Sequence, residues 1–202
     1  GLPGEHAAPM FCAGFTVMSG YRNGAPRPGD RVGVLGLGGL GHLAVQVAKA
    51  HGHEVIVVTG TPGKEDLARE LGADDVVVVR EHAGRELMKR GGVDVLLSTS
   101  NDMAANGQAL QGIRPEGRLV SMATGDDPIP VRPGLLLSRQ LVLKGSMQNE
   151  RRDLLEVLAL AAAGRVVPRL EVYRLAEINT ALTRLVDGKV RFRAVVRFEG
   201  VA

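Results

Sequence analysis

Tryptophan is absent from this chain of 202 residues, and aromatic side chains make up only 3% of it. Proteins that hold single strands of nucleic acid stack bases on aromatic platforms along a basic groove. Here the platforms are lacking, the basic residues are scattered and the net charge is only +3, so nucleic acid is set aside as a partner. One cysteine, Cys12, excludes an internal disulfide and fits a reducing, cytoplasmic compartment. No apolar run approaches the roughly 20 residues of a membrane-spanning helix, and no stretch has the pattern of a secretory leader. Internal repeats, low-complexity tracts and charge blocks are lacking as well. The chain begins Gly-Leu-Pro, without an initiating Met, which suggests a processed product or a fragment. What remains is ordinary for a globular protein: 45% hydrophobic, 23% charged, and long enough for a full core.

The most informative stretch is RVGVLGLGGLGHLAVQVAKAHGHEVIVVT, residues 31–59. An apolar run leads into Gly36-Leu37-Gly38-Gly39-Leu40-Gly41, then an amphipathic helix, then a second apolar run. The cluster fits G-x-G-x-x-G, and each glycine has a task. Gly36 makes the tight turn out of the strand. Gly38 lets a diphosphate approach the main chain. Gly41 lets the helix pack closely on the strand. The helix start then offers unpaired N–H groups and a positive dipole end to phosphate.

Apolar runs alternate with helical patterns after residue 30. The pattern predicts strands at about 31–36, 54–59, 75–79, 93–98, 117–122 and 140–145, with helices at about 39–51, 63–71, 83–90 and 102–112. VVVV (76–79) and VDVLL (93–97) lack polar alternation, as expected of strands covered on both faces. Gly72, Gly91 and Gly112 stand near helix ends, where a left-handed residue is useful. The expected fold class is α/β, a doubly wound six-stranded parallel sheet of Rossmann type. The flanks differ. Residues 1–30 carry Pro3, Pro9, Pro26 and Pro28 and a helix at about 8–20. Residues 150–164 read as an amphipathic helix stopped by Gly164, a further helix runs over about 175–187 to Gly188, and FRAVVRF (192–198) reads as a final strand. The expected division is a lead-in over 1–20, a dinucleotide-binding domain over 21–150 and returning helices and strand over 151–202.

The end of the second strand bears on the choice of nucleotide. NAD sites place Asp or Glu about 20 residues beyond the glycines, on the ribose hydroxyl. Here the segment reads Val58-Thr59-Gly60-Thr61-Pro62-Gly63-Lys64, with no carboxylate before Glu65. Hydroxyls at Thr59 and Thr61 can donate to a 2′-phosphate and Lys64 can add charge, which favours NADP(H) over NAD(H). Lys64 reads equally well as a solvated lysine at a helix start. On composition alone, Cys12 beside Met10 and Phe11 reads as a small buried hydrophobe.

AAPMFCAGFT (7–16), RPGDRVGVLGLGGLGHLAVQVAKA (27–50), ELGADDVV (70–77), GRLVSM (117–122) and LKGSMQNERRDL (143–154) resemble the zinc-dependent alcohol dehydrogenases of the medium-chain dehydrogenase/reductase family. The chain is most similar to the cinnamyl-alcohol and yeast-type branch, over essentially its whole length. The resemblance implies that Cys12 is one ligand of a catalytic zinc and that Thr16 packs beside the nicotinamide. It implies that Ser98, Thr99 and Ser100, with Met122, Ala123 and Thr124, border the nicotinamide half. Ser146, Met147 and Gln148 would lie beside the carboxamide, and the strand near 140–145 would pair with its copy in a homodimer. In that family a GroES-like catalytic domain carries the other zinc ligands and the proton-relay hydroxyl, and the final strand packs against it. The 202 residues contain none of that domain, and His6, His42, His51, His53 and His82 do not recreate its motif. A catalytic zinc wants three protein ligands and an open position. Cys12 alone does not meet that, so the isolated chain is expected to be inactive. Asn149-Glu150 departs from the Gly-Ser common in this branch.

The implied reaction is hydride transfer between a nicotinamide and a primary alcohol or aldehyde. Two alternatives stand beside it. One is a zinc-free quinone or enoyl reductase of the same superfamily, which usually has a different glycine loop and no cysteine at this position. The other is a non-catalytic dinucleotide-binding module.

Overall fold

The structure is a computed structural model and describes residues 1–198. The chain opens with α1 (Gly4–Pro9), a π-helical turn (Met10–Gly14) and α2 (Phe15–Gly24). The helical run therefore begins earlier and ends later than the 8–20 expected. Pro9 gives no N–H to the ladder, and the wider turn starts at the next residue. Ala25 closes α2 in the left-handed region (φ +41°), with Pro26 behind it as a stop.

Then the alternation runs as read: β1 (Arg31–Leu35), α3 (Gly41–Ala50), β2 (Glu54–Thr59), α4 (Glu65–Glu70), β3 (Asp75–Val78), α5 (Ala83–Lys89), β4 (Val93–Ser98), α6 (Met103–Ala109), β5 (Ile113–Ser121), α7 (Pro133–Arg139) and β6 (Val142–Gly145). The six strands are parallel in the order β3-β2-β1-β4-β5-β6. The order reverses between β1 and β4, which opens a crevice beyond their carboxyl ends. Successive side chains feed opposite layers: Val55, Val57, Val95 and Leu97 pack beneath α2, α3 and α8 (Arg151–Ala162), while Ile56, Val58 and Leu96 pack beneath Leu87 and Leu110. Met10, Ala13, Val17 and Met18 of the opening helical run are fully buried in the first layer.

Beyond α8, β7 (Leu170–Arg174), α9 (Ile178–Val186) and β8 (Arg193–Arg197) form a separate two-stranded parallel sheet with its crossover helix. The sequence reading contains α8, α9 and β8 but neither β7 nor α7. It also starts β5 late: pairing begins at Ile113, and the register shifts between Val93 and Val95, where Glu116 turns left-handed at φ +62°. Gly72 and Gly91 are left-handed as expected, Gly112 is not, and the helix stops Gly164 and Gly188 are left-handed too. Gly112 serves close packing instead, since a Cβ there would lie 2.5 Å from that of Leu87.

Candidate functional site

The glycine turn fills the floor of the crevice. Gly36 takes φ +93° and its N–H donates to Val58 O at 2.8 Å. The Thr99 hydroxyl lies 3.1 Å from both Leu35 O and Gly36 O and holds the turn from the neighbouring strand. A Cβ on Gly41 would lie 2.0 Å from Gly36 O, so only glycine lets α3 start against the strand. A Cβ on Gly39 would lie 2.8 Å from Phe192 O. Gly38 faces open space, with nothing within 4 Å of a Cβ built on it. Leu37 and Leu40 anchor the turn in the core. The N–H groups of Gly38, Gly39 and Leu40 have no acceptor among the described residues. Free amides at the head of a ten-residue helix, with room left for a ligand, fit a diphosphate.

At the end of β2 a cavity of about 450 Å³ runs from Gly36–Gly38 past Thr59, Thr61, Lys64 and Arg80. Thr59 is buried, and its Oγ1 accepts the Thr61 N–H at 3.2 Å. Gly60 and Thr61 are exposed. Lys64 Nζ donates to Leu37 O at 3.0 Å, which draws its charge across the cavity mouth. Arg80, on the rim, was not singled out from sequence. Among the described residues the one carboxylate lining the cavity is Asp102, which caps α6 by accepting the Ala105 N–H at 2.9 Å.

The expected nicotinamide side is divided. Ser98 is fully buried, its hydroxyl donating to Asn106 Oδ1. Met122 is buried against Gly20, Ala123 is half-buried, and Thr124 is exposed with its N–H on Asn101 Oδ1 at 3.3 Å. Ser146 Oγ accepts from Asn23 Nδ2 at 2.9 Å, and Met147 is exposed. Gln148 Nε2 donates to Phe11 O and Cys12 O at 3.4 and 3.3 Å, which brings the loop after β6 to the Cys12 turn. Cys12 is exposed, and Thr16 is half-buried one helical turn further on. No group of three or more His, Cys, Asp or Glu that could hold a metal occurs among the described residues. Cys12 offers one sulfur ligand where a catalytic zinc wants three protein ligands, so these residues alone do not fit that ion.

Two further residues reach the glycine turn. Arg193 of β8 extends its guanidinium to within 3.1 Å of the place a Gly39 Cβ would take. His42, the residue after Gly41, is fully buried, and burial pushes its pKa down to about 4, with Arg193 and Arg169 adding repulsion. Arg193 leaves no sequence signal, because only the return of β8 brings it here.

The sheet order and the glycine turn define a doubly wound α/β protein with a nucleotide-type crevice at its switch point. Residues 39–163 match the zinc-binding dehydrogenase model, and the chain belongs to that family. It is 37% identical over 199 residues to an alcohol dehydrogenase of Geobacillus stearothermophilus, covering 96% of this chain and 58% of that protein. It is 34% identical over 202 residues to cinnamyl alcohol dehydrogenase 5 of Arabidopsis thaliana, covering 99% of this chain and 56% of the relative. Among solved structures it superposes on the alcohol dehydrogenase of the archaeon Aeropyrum pernix with a TM-score of 0.85 and 32% identity, over 95% of this chain and 57% of that one. The chain thus spans a little over half the length of the curated relatives it matches.

Proposed function

We propose that this chain is the cofactor-binding part of an oxidoreductase that moves hydride between NADP(H) and a primary alcohol or aldehyde. The glycine turn supports the reading: three successive N–H groups have no acceptor among the described residues and the space beside Gly38 is open, while Gly36, Gly39 and Gly41 are each bounded by neighbouring atoms. On this reading Gly36 to Gly41, with Arg193, hold the diphosphate. Thr59, Gly60, Thr61 and Lys64, joined by Arg80, receive the 2′-phosphate of the adenosine ribose. Two cations and no acid at the end of β2 support NADP(H) over NAD(H). Thr16, Ser98, Thr99, Met122, Ala123, Thr124, Ser146 and Met147 shape the nicotinamide side, some by contact and Ser98 and Thr99 by fixing the loops that make it. The bound cofactor supplies the hydride chemistry.

Cys12 contributes to a zinc site only with ligands from a catalytic domain outside these residues. Segments 1–20 and 151–202 lead from and toward that domain, with 21–150 as the dinucleotide-binding unit. The alternative of a non-catalytic binding module draws support from the lack of a three-ligand cluster among the described residues. The lone cysteine supports a reducing, cytoplasmic setting. Calorimetric titration with NADPH and NADH tests the cofactor: NADPH should bind more tightly, and Lys64→Ala should narrow the gap. Tighter NADH binding overturns the choice. Zinc analysis and an alcohol-oxidation assay, on this chain and on an N-terminally extended one, separate enzyme from module: activity and bound zinc should appear only with the extension.

A further inference from the structure

The carbonyl oxygen of Gly38 accepts two hydrogen bonds from one residue. The His42 main-chain N–H reaches it at 3.1 Å, and ring Nδ1 also at 3.1 Å. The other ring nitrogen, Nε2, accepts the main-chain N–H of Arg169 at 3.2 Å. A carbonyl only accepts and an amide N–H only donates, so these contacts require the neutral tautomer with its proton on Nδ1. The ring is closed in by Phe192, whose centroid is 4.7 Å away, and its low pKa keeps it uncharged near neutrality.

No peptide bond in the described chain is cis, so the Gly39 N–H points opposite to the Gly38 carbonyl in the plane they share. With that oxygen held on His42, the N–H points away from the ring, on the side of the crevice entered by the Gly36–Gly38 turn, and it has no acceptor in the described chain. Joining two glycines, this plane has unusual freedom to rotate unless something outside the loop holds it.

We propose that His42 is a positioning residue for the dinucleotide: Nδ1–H fixes the Gly38–Gly39 peptide plane so that the Gly39 N–H meets the diphosphate, while Nε2 anchors the ring to the segment before β7. The inference rests on the reading of the crevice as a dinucleotide site. Two variants divide the ring's bonds. His42→Asn keeps a donor at the Nδ1 position and gives up Arg169; His42→Gln reaches Arg169 and gives up Gly38. NADPH titration of the full chain, at a temperature where circular dichroism shows each variant folded, should leave His42→Asn within about threefold of the unaltered chain. His42→Gln should bind about tenfold more weakly or worse, the effect of one charge-assisted bond misaligned. Unchanged affinity in His42→Gln, or equal losses in both variants, overturns the proposal. The unaltered chain gives a second readout, since ¹⁵N shifts of the His42 ring should report Nδ1–H between pH 6 and 8; an Nε2–H tautomer also overturns it. An unaltered chain that binds neither NADPH nor NADH removes the dinucleotide reading itself and the inference with it.

Discussion

Gly38 and Gly41 stand three residues apart and fail in opposite ways when a side chain is added. A Cβ at Gly38 meets nothing within 4 Å, so Gly38→Val should leave stability within about 1 kcal/mol and abolish dinucleotide binding. A Cβ at Gly41 would sit 2.0 Å from a main-chain oxygen, so Gly41→Ala should destabilise by about 3 kcal/mol or more before any ligand is added. Denaturant melts and NADPH titration of the pair check both. His42 adds a pH signature. Its folded pKa, about 4, lies below the ordinary 6.5, because burial beside Arg169 and Arg193 disfavours the cation. The unfolded chain therefore takes up the proton first as pH falls. The contribution is full above pH 6.5, is lost between 6.5 and about 4, and amounts to about 3 kcal/mol. Denaturant melts across that window should show this slope in the unaltered chain and lose it in His42→Asn. The glycine roles were legible in the sequence because each follows from local sterics. The Arg169 bond to His42 and the approach of Arg193 to Gly39 were not, since each joins residues more than a hundred apart that meet only in the folded chain.

Among elements, α2 and α8 are joined by a buried charge. Asp153 is 1% exposed, accepts from Ser19 Oγ at 2.8 Å and pairs with Arg22 Nε at 2.5 Å. Ser19 Oγ also accepts the Asn149 N–H at 3.1 Å, which straps the loop after β6 to α2. The two partners are unequal: Arg22 is one-third exposed and can turn to water, whereas Asp153 cannot. Arg22→Met should therefore cost about 3 kcal/mol, and Asp153→Asn about 1 kcal/mol, in chemical denaturation; equal costs would contradict this account. The strands of the main sheet were legible because they are continuous apolar runs between glycine-punctuated helices. β7 was not, since LEVYR buries no residue fully and among the described residues pairs with β8 alone. α7 has seven residues and none buried, so it leaves no periodic signal. The π turn around Cys12 is set by Pro9 and by packing on α8, where a Gly14 Cβ would meet Val157 at 3.3 Å.

For the whole molecule, a doubly wound six-stranded parallel sheet followed from the alternation of elements, and the structure has that sheet, with the order β3-β2-β1-β4-β5-β6 placing the crevice. The outer edge is less settled by sequence. Among the described residues β6 has a neighbour on one side only, and Leu137, Val142 and Met147 around it are 78, 50 and 75% exposed. An open edge flanked by apolar side chains supports pairing with a second copy. Light scattering should report a dimer, and Val142→Lys should weaken it by about tenfold or more; a monomer at high concentration would contradict the pairing. The central claim is simpler, that bare main-chain amides at the glycine turn hold the diphosphate of a nicotinamide cofactor. A crystal soaked in NADPH tests it most directly. The account predicts phosphate oxygens within hydrogen-bonding distance of the Gly39 and Leu40 N–H groups, and an empty crevice or a cofactor seated elsewhere would contradict it.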